Sequence, residues 1–199
     1  RALERGADIV VMSLTKHVGG HSDLMMGSAS AGPDLYRRLR LRSQQLGQVI
    51  SPDDAALALR GLRTMGLRLA QETSSALELA KWLESRPEVA QVLCPMLPGS
   101  PGHELWARDF SGGCGLFSFV FAGGSAAQCD AFVDALQLFG IGYSWGGFES
   151  LVTPLEPAAI RTATTWPKDH FGVRLSIGLE DVADLRADIE QAMAAWRAG

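Results

Sequence analysis

The apolar residues between positions 51 and 86 recur at helical spacing over a stretch much longer than an average helix. Residues 51–54 (Ser-Pro-Asp-Asp) form a strong helix start, with a capping serine, a proline at the first position and acids in the first turn. Pro87 follows the last apolar repeat. Because so long a helix often connects two structural units, we predict one domain over residues 1–68 and another over residues 69–199.

The composition indicates a globular protein and excludes several classes of partner. The chain has 199 residues, is 47% hydrophobic and carries a formal charge of -4. Mild acidity argues against a nucleic-acid surface, and we interpret the basic run at residues 36–42 as a solvated helix face. No apolar stretch approaches the ~20 residues that a membrane span needs. Three cysteines without metal-ligand spacing indicate free thiols, so we expect a cytoplasmic protein.

The remaining patterns predict a different layout on each side of the boundary. In the first part, a buried strand over residues 8–16 precedes a short strand over residues 24–31 and a helix of roughly ten residues from Asp34. In the second part we predict strands at residues 89–93, 116–121, 141–144 and 171–177 and helices at residues 126–138 and 181–196. The chain is therefore expected to begin in an α/β domain and end in an α+β domain with an antiparallel sheet.

The end of the first predicted strand carries a group of polar side chains. Ser13 and Thr15 are two residues apart, so in a strand their hydroxyls share one side and could bind the oxygens of an anion. Lys16 follows, and a glycine-rich turn comes next. A lysine amine beside an anion site is what a pyridoxal phosphate (PLP) enzyme requires. An ordinary strand whose polar end meets solvent would show the same residues.

Arg174 interrupts an apolar alternation in the predicted strand at residues 171–177. A charge in the middle of such a strand is costly to bury without a partner. The planar guanidinium suits a carboxylate in a bidentate pair. The partner is either a substrate carboxylate or a nearby acidic side chain.

Four segments in order carry a family resemblance: residues 13–27, 59–64, 144–151 and 173–181. Together they resemble the Cys/Met-metabolism family of PLP-dependent enzymes, and within it the bacterial cystathionine β-lyases. The resemblance covers essentially the whole chain. It implies fold-type I architecture, in which a large α/β domain around the lysine precedes a smaller α+β domain. It also implies that this chain is the C-terminal portion of a longer enzyme.

The resemblance implies that three residues hold the cofactor, PLP. Lys16 would bind the cofactor aldehyde covalently and later take the substrate α-proton. Ser13 and Thr15 match positions that bind the cofactor phosphate. The alternative for both hydroxyls is a hydrogen bond to neighbouring backbone.

The resemblance assigns three further residues to a sulfur-containing amino-acid substrate. Arg174 would bind the α-carboxylate, and Ser144 and Trp145 would line the pocket with backbone donors near that carboxylate. For Trp145 the alternative is core packing. We expect a structural role for Glu149, because the family uses its lysine for proton transfer.

The implied reaction is the α,β-elimination of cystathionine to homocysteine, pyruvate and ammonia, in methionine biosynthesis. The alternatives are a sister activity (cystathionine γ-synthase, cystathionine γ-lyase or methionine γ-lyase) and a stable fragment without catalysis. The acid that pairs with the pyridine nitrogen and the aromatic that stacks on the ring should lie upstream of Lys16. We therefore expect this chain alone to be inactive, and the whole enzyme to form a homotetramer.

A metal site is a weaker interpretation of the residues after the lysine. His17 and His21 are four apart and Asp23 follows, which resembles ligand spacing. The glycines between the histidines break a helix, so we expect no metal.

Overall fold

The computed structural model describes residues 1–198, and Gly199, the last residue of the predicted second domain, lies outside them. The chain divides into two compact units between Gly66 and Leu67, inside the long helix α2 (Pro52–Glu84). We call the part before this division unit 1 and the part after it unit 2. Their assignment to a cofactor-binding domain and a small domain stays a prediction.

Unit 1 contains few elements. A short 3-10 helix (Ala2–Arg5) precedes strand β1 (Ile9–Ser13), which pairs antiparallel with strand β2 (Gly27–Ala31). Helix α1 (Pro33–Gln45) and the first part of α2 complete the unit.

The structure corrects the prediction of a buried strand over residues 8–16 in two respects. β1 ends at Ser13, and the next residues form a turn in which the Lys16 N–H donates to the Ser13 carbonyl. The strand is also exposed, with Val11 79% accessible, because a two-stranded sheet has no second layer to cover it. The hydroxyls of Ser13 and Thr15 therefore do not share one strand face.

Unit 2 is built on a five-stranded sheet with the strand order β3-β4-β7-β6-β5. Its elements in chain order are β3 (Val89–Leu93), α3 (His103–Asp109), β4 (Leu116–Phe121), α4 (Ala126–Ala135), β5 (Gly140–Ile141), β6 (Leu151–Pro154), α5 (Pro157–Ile160), β7 (Gly172–Ser176) and α6 (Val182–Ala198).

The sheet departs from the predicted antiparallel arrangement at one edge. β5 pairs parallel with β6, whereas the other three pairs are antiparallel. Parallel pairing requires the connection between them, residues 142–150, to cross from the end of β5 to the opposite end of the sheet, where β6 begins. The sequence patterns did not predict α3, β6 or α5.

The two faces of this sheet differ in character. One face presents phenylalanines of β4 and aliphatic side chains of β6 and β7 to helices α2, α4 and α6, and the main members of this core are Leu79, Leu83, Phe117, Phe119, Phe121, Phe132, Val152, Val173, Leu175, Ile189 and Trp196. On the other face, Arg174 lies in register between Ser118 of β4 and Thr153 of β6. The arginine interrupts the apolar alternation because it belongs to this second face.

Candidate functional site

Backbone hydrogen bonds shape the turn that carries Lys16. The N–H groups of Leu14 and Thr15 donate to the Met26 carbonyl over 2.8 and 3.2 Å. Further along, the Gly20 N–H donates to the Lys16 carbonyl over 2.8 Å. The turn is thus tied to the start of β2, and the Lys16 side chain is half-buried.

The two predicted phosphate-binding hydroxyls have different surroundings. The Thr15 Oγ1 accepts a hydrogen bond from the Met26 N–H over 2.9 Å and donates to the Met26 carbonyl over 3.3 Å. The Thr15 hydroxyl thus bonds to backbone groups, which was the alternative to phosphate binding. If the Thr15 hydroxyl donated to a phosphate, it would lose only its longer hydrogen bond, the one to the Met26 carbonyl. Ser13 is exposed, and its hydroxyl bonds to no other residue among positions 1–198.

Helix α2 packs closely against the far side of the same turn, through Gly61. A Cβ at this position would overlap the carbonyl oxygens of Val18 and Gly19. Only glycine allows this approach of helix and turn. A glycine inside a strong helical pattern was the available sequence signal for this contact.

His21, after the lysine, contacts the backbone of the turn. The Nδ1 atom of His21 lies 2.8 Å from the Gly19 carbonyl oxygen. Residues 1–198 contain no group of three His, Cys, Asp or Glu side chains placed to hold a metal ion.

In unit 2, Arg174 is half-buried, and burial lowers the pKa of its guanidinium. Its Nη2 donates to the carbonyls of Tyr143 and Ser144 over 2.7 and 3.3 Å. Its Cζ lies 5.5 Å from the ring centre of Trp145, within cation–π range. Arg174, Ser144 and Trp145 therefore lie together, and their roles stay a prediction.

The Nε of Arg174 is buried and has no hydrogen-bond partner among the described residues. No carboxylate of residues 1–198 lies within ion-pair distance of this side chain. The structural ion pair considered as an alternative is thus absent from this part of the chain. An unmet buried donor costs about 1–3 kcal/mol, and a bound carboxylate would satisfy it.

Residues 143–150, which we call the tethered segment, run alongside β7 and its continuation. The Gly146 N–H donates to the Ser176 Oγ over 3.3 Å, and Gly146 has a φ of 76°, which favours glycine. The Leu179 N–H donates to the Phe148 carbonyl over 2.8 Å. These bonds hold the segment that carries Ser144 and Trp145.

The end of the tethered segment is fixed by a residue pair that the sequence analysis missed. The carboxylate of Glu180 accepts the Ser150 N–H over 2.7 Å and the Ser150 Oγ–H over 2.8 Å. Ser150 is fully buried, and its Oγ also accepts the Gly178 N–H over 2.9 Å. Both residues lie in segments that carry the family resemblance, but thirty positions separate them, and no spacing rule joins them.

Unit 1 thus has a lysine on a hydrogen-bonded turn that also carries an exposed serine, and unit 2 has an arginine with an unmet donor. A PLP enzyme that acts on amino acids uses an amine to bind the aldehyde of the cofactor. It uses a guanidinium to bind the carboxylate of the amino acid. The chain belongs to the Cys/Met metabolism PLP-dependent enzyme family, whose model matches residues 1–194. The predicted family is confirmed.

The relatives are similar over nearly the whole chain. Cystathionine beta-lyase of Bordetella avium is 47% identical over 195 residues, which cover 97% of this chain and 49% of the relative. Cystathionine beta-lyase of Escherichia coli K12 is 43% identical over 198 residues, which cover 98% and 50%. A crystal structure of cystathionine gamma synthase from Xanthomonas oryzae, in complex with aminoacrylate and cysteine, matches with a TM-score of 0.89 and 38% identity. That match covers 98% of this chain and 52% of the other.

The chain therefore spans about half the length of the curated relatives that it matches. The match to the synthase structure also identifies the fold as a mixed α/β arrangement shared with that half of a cystathionine enzyme. No helix in residues 1–198 combines the length and apolar character that a membrane crossing requires.

Proposed function

We propose that this chain is part of a PLP-dependent carbon–sulfur lyase that converts cystathionine to homocysteine, pyruvate and ammonia by α,β-elimination. Identities of 43–47% to two cystathionine beta-lyases support this activity. The single structural observation that carries it is the half-buried Arg174, whose Nε lacks a partner and whose nearest acceptors are backbone carbonyls. Such an arginine suits the α-carboxylate of an amino-acid substrate.

The residues of unit 1 fit the cofactor. The Ser13 hydroxyl would donate to a phosphate oxygen, and the Thr15 hydroxyl would join it by giving up its longer bond to Met26. Lys16 would hold the cofactor through its amine and then move the proton of the substrate α-carbon. When bound, PLP withdraws electrons from that carbon and so makes the proton acidic.

The residues of unit 2 fit the substrate. Arg174 would bind the carboxylate through Nε and its free Nη1, while Nη2 keeps its bonds to Tyr143 and Ser144. Trp145 would pack against the guanidinium and exclude water from the ion pair. Exclusion of water strengthens this attraction, since the effective dielectric constant falls.

We also propose that the isolated chain is inactive and binds PLP weakly. The matched motifs supply no acid for the pyridine nitrogen and no aromatic for the ring face. The exposed apolar side chains of unit 1, among them Ile9, Val11, Met12, Met25 and Val49, support coverage by the rest of a longer chain or by other copies in a tetramer. Three free cysteines suit a reducing compartment, which supports a cytoplasmic location.

A second candidate is the γ-synthase or γ-lyase reaction, because the solved structure with a TM-score of 0.89 is a cystathionine gamma synthase. The assay that separates the two uses the full-length parent enzyme, PLP and cystathionine, and identifies the keto acid released. We expect pyruvate with homocysteine. Release of 2-oxobutyrate with cysteine would contradict β-elimination and support γ-elimination.

A further inference from the structure

The guanidinium of Arg174, the proposed substrate arginine, is oriented by two backbone carbonyls. Arg174 donates to the carbonyls of Tyr143 and Ser144, at the start of the tethered segment. Tyr143 itself is 78% exposed, and so its side chain does not anchor the segment in a core. The position of these carbonyls depends on what holds the segment further along.

The tethered segment is also attached at its other end, through Ser150. Glu180 accepts two short hydrogen bonds from one residue, Ser150, through its N–H and its hydroxyl. Hydrogen bonds to an ionised carboxylate are about twice as strong as neutral ones. Because Ser150 also accepts the Gly178 N–H, the pair locks the segment to the turn that follows β7.

We propose that Glu180 is a positioning residue for the substrate carboxylate site. It acts through Ser150 to fix the tethered segment, whose carbonyls of Tyr143 and Ser144 set the orientation of the Arg174 guanidinium. Glu180 does not touch the substrate in this scheme. The inference rests on the proposed role of Arg174 in carboxylate binding.

A purely structural carboxylate in the same unit provides a matched control. Asp188 of α6 is 6% exposed and accepts the N–H groups of Gln137 and Leu138 over distances from 2.8 to 3.1 Å. Like Glu180, it holds a segment through backbone donors. That segment follows α4, and Arg174 donates instead to the carbonyls of Tyr143 and Ser144.

The test compares Glu180→Gln with Asp188→Asn in the full-length enzyme. Gln keeps an acceptor for the Ser150 N–H but turns an amide donor toward the hydroxyl, so the segment loosens without loss of volume. We expect Glu180→Gln to raise the KM for cystathionine about 10-fold with kcat changed less than about threefold, since small misplacements near a site are costly. Asp188→Asn should lower the melting temperature and leave KM within about twofold. An equal KM in both variants would overturn the proposal.

A double-mutant cycle with Arg174→Lys checks the route of action. If Glu180 works through Arg174, the double variant should have a KM close to that of Arg174→Lys alone, because residues that act together are not additive. A KM equal to the product of the two separate effects would overturn the proposal. Ser150→Ala is a second variant, and we expect it also to raise the KM for cystathionine. The melting temperature and PLP absorbance confirm that each variant is folded and loaded.

The cycle also distinguishes this inference from the proposed function. A wild-type enzyme that releases neither pyruvate nor 2-oxobutyrate would contradict the proposed lyase. In that case calorimetric affinity for L-cystathionine replaces KM in the same cycle. Non-additive weakening by Glu180→Gln and Arg174→Lys would still support the positioning role, and unchanged affinity would contradict it.

Discussion

The two units bury their apolar side chains to very different extents. In unit 1 the buried hydrophobic residues are Val18, Leu24 and Ala58, whereas unit 2 has one contiguous core that includes five phenylalanines and Trp196. A two-stranded sheet with a helix cannot by itself exclude water from both faces. We therefore expect the core of unit 2 to stabilise that unit by itself. Unit 1 requires another surface to cover its apolar side chains.

The same contrast separates the candidate cofactor residues of unit 1 from the candidate substrate residues of unit 2. Lys16 is held by backbone hydrogen bonds within a turn of the weakly buried unit, and Arg174 is held by a central strand of the well-packed one. If Lys16 holds the cofactor as proposed, its turn should therefore become more ordered when the cofactor binds. Arg174, in contrast, should already have the conformation in which it would bind a carboxylate.

Truncation of one apolar side chain in each unit should show the difference in stability most clearly. Leu175 is fully buried and lies in register with Phe117 and Val152, so we expect Leu175→Ala to lower the free energy of unfolding of unit 2 by about 2–5 kcal/mol. Val11 is 79% exposed in this chain, and Val11→Ala should change stability by less than about 0.5 kcal/mol. Hydrogen exchange resolved by peptide measures both. Equal losses would contradict the contrast.

Substitution of Arg174 should show whether unit 2 contributes to substrate binding. Arg174→Lys keeps the charge but loses the fork, which leaves one charge-assisted hydrogen bond unmade. We expect weaker cystathionine binding by the full-length enzyme, by about 1.5–3 kcal/mol. The measurement is KM together with calorimetric affinity. Unchanged values would remove Arg174 from the substrate site.

A smaller effect should appear in the acid stability of unit 2. Burial alone would raise the pKa of Glu88, but hydrogen bonds from its own backbone N–H and Arg197, with the charge of Arg86, hold that pKa below its usual 4.5. A depressed folded-state pKa contributes stability above the unfolded pKa that is lost as the pH falls through the folded value. Glu88→Gln should therefore flatten the pH dependence of unfolding between about pH 5 and pH 3. An unchanged slope would show that the ion pairs contribute nothing.

Local signals in the sequence predicted some elements almost to the residue. The Ser-Pro-Asp-Asp start and Pro87 delimit α2, and the apolar run at residues 89–93 coincides with β3. These succeed because helix caps and strand alternation depend on neighbouring residues. The grouping of Arg174 with the segment of Ser144 and Trp145 came from the family resemblance.

Other features depend on contacts between distant residues. β1 looks buried in sequence because it is apolar, yet burial requires a covering layer that local pattern does not contain. β6 is only four residues long and ends in Pro154, so its alternation was too short to detect. The Ser150–Glu180 pair joins two loops thirty positions apart. No periodicity links such residues.

The most direct test of the account uses the holoenzyme of the full-length parent. Borohydride reduction should fix the mass of the cofactor on one peptide, and tandem mass spectrometry should place it on Lys16. The account predicts modification at this lysine alone, with loss of pyruvate release in proportion. Cofactor mass on a peptide that lacks Lys16 would contradict it.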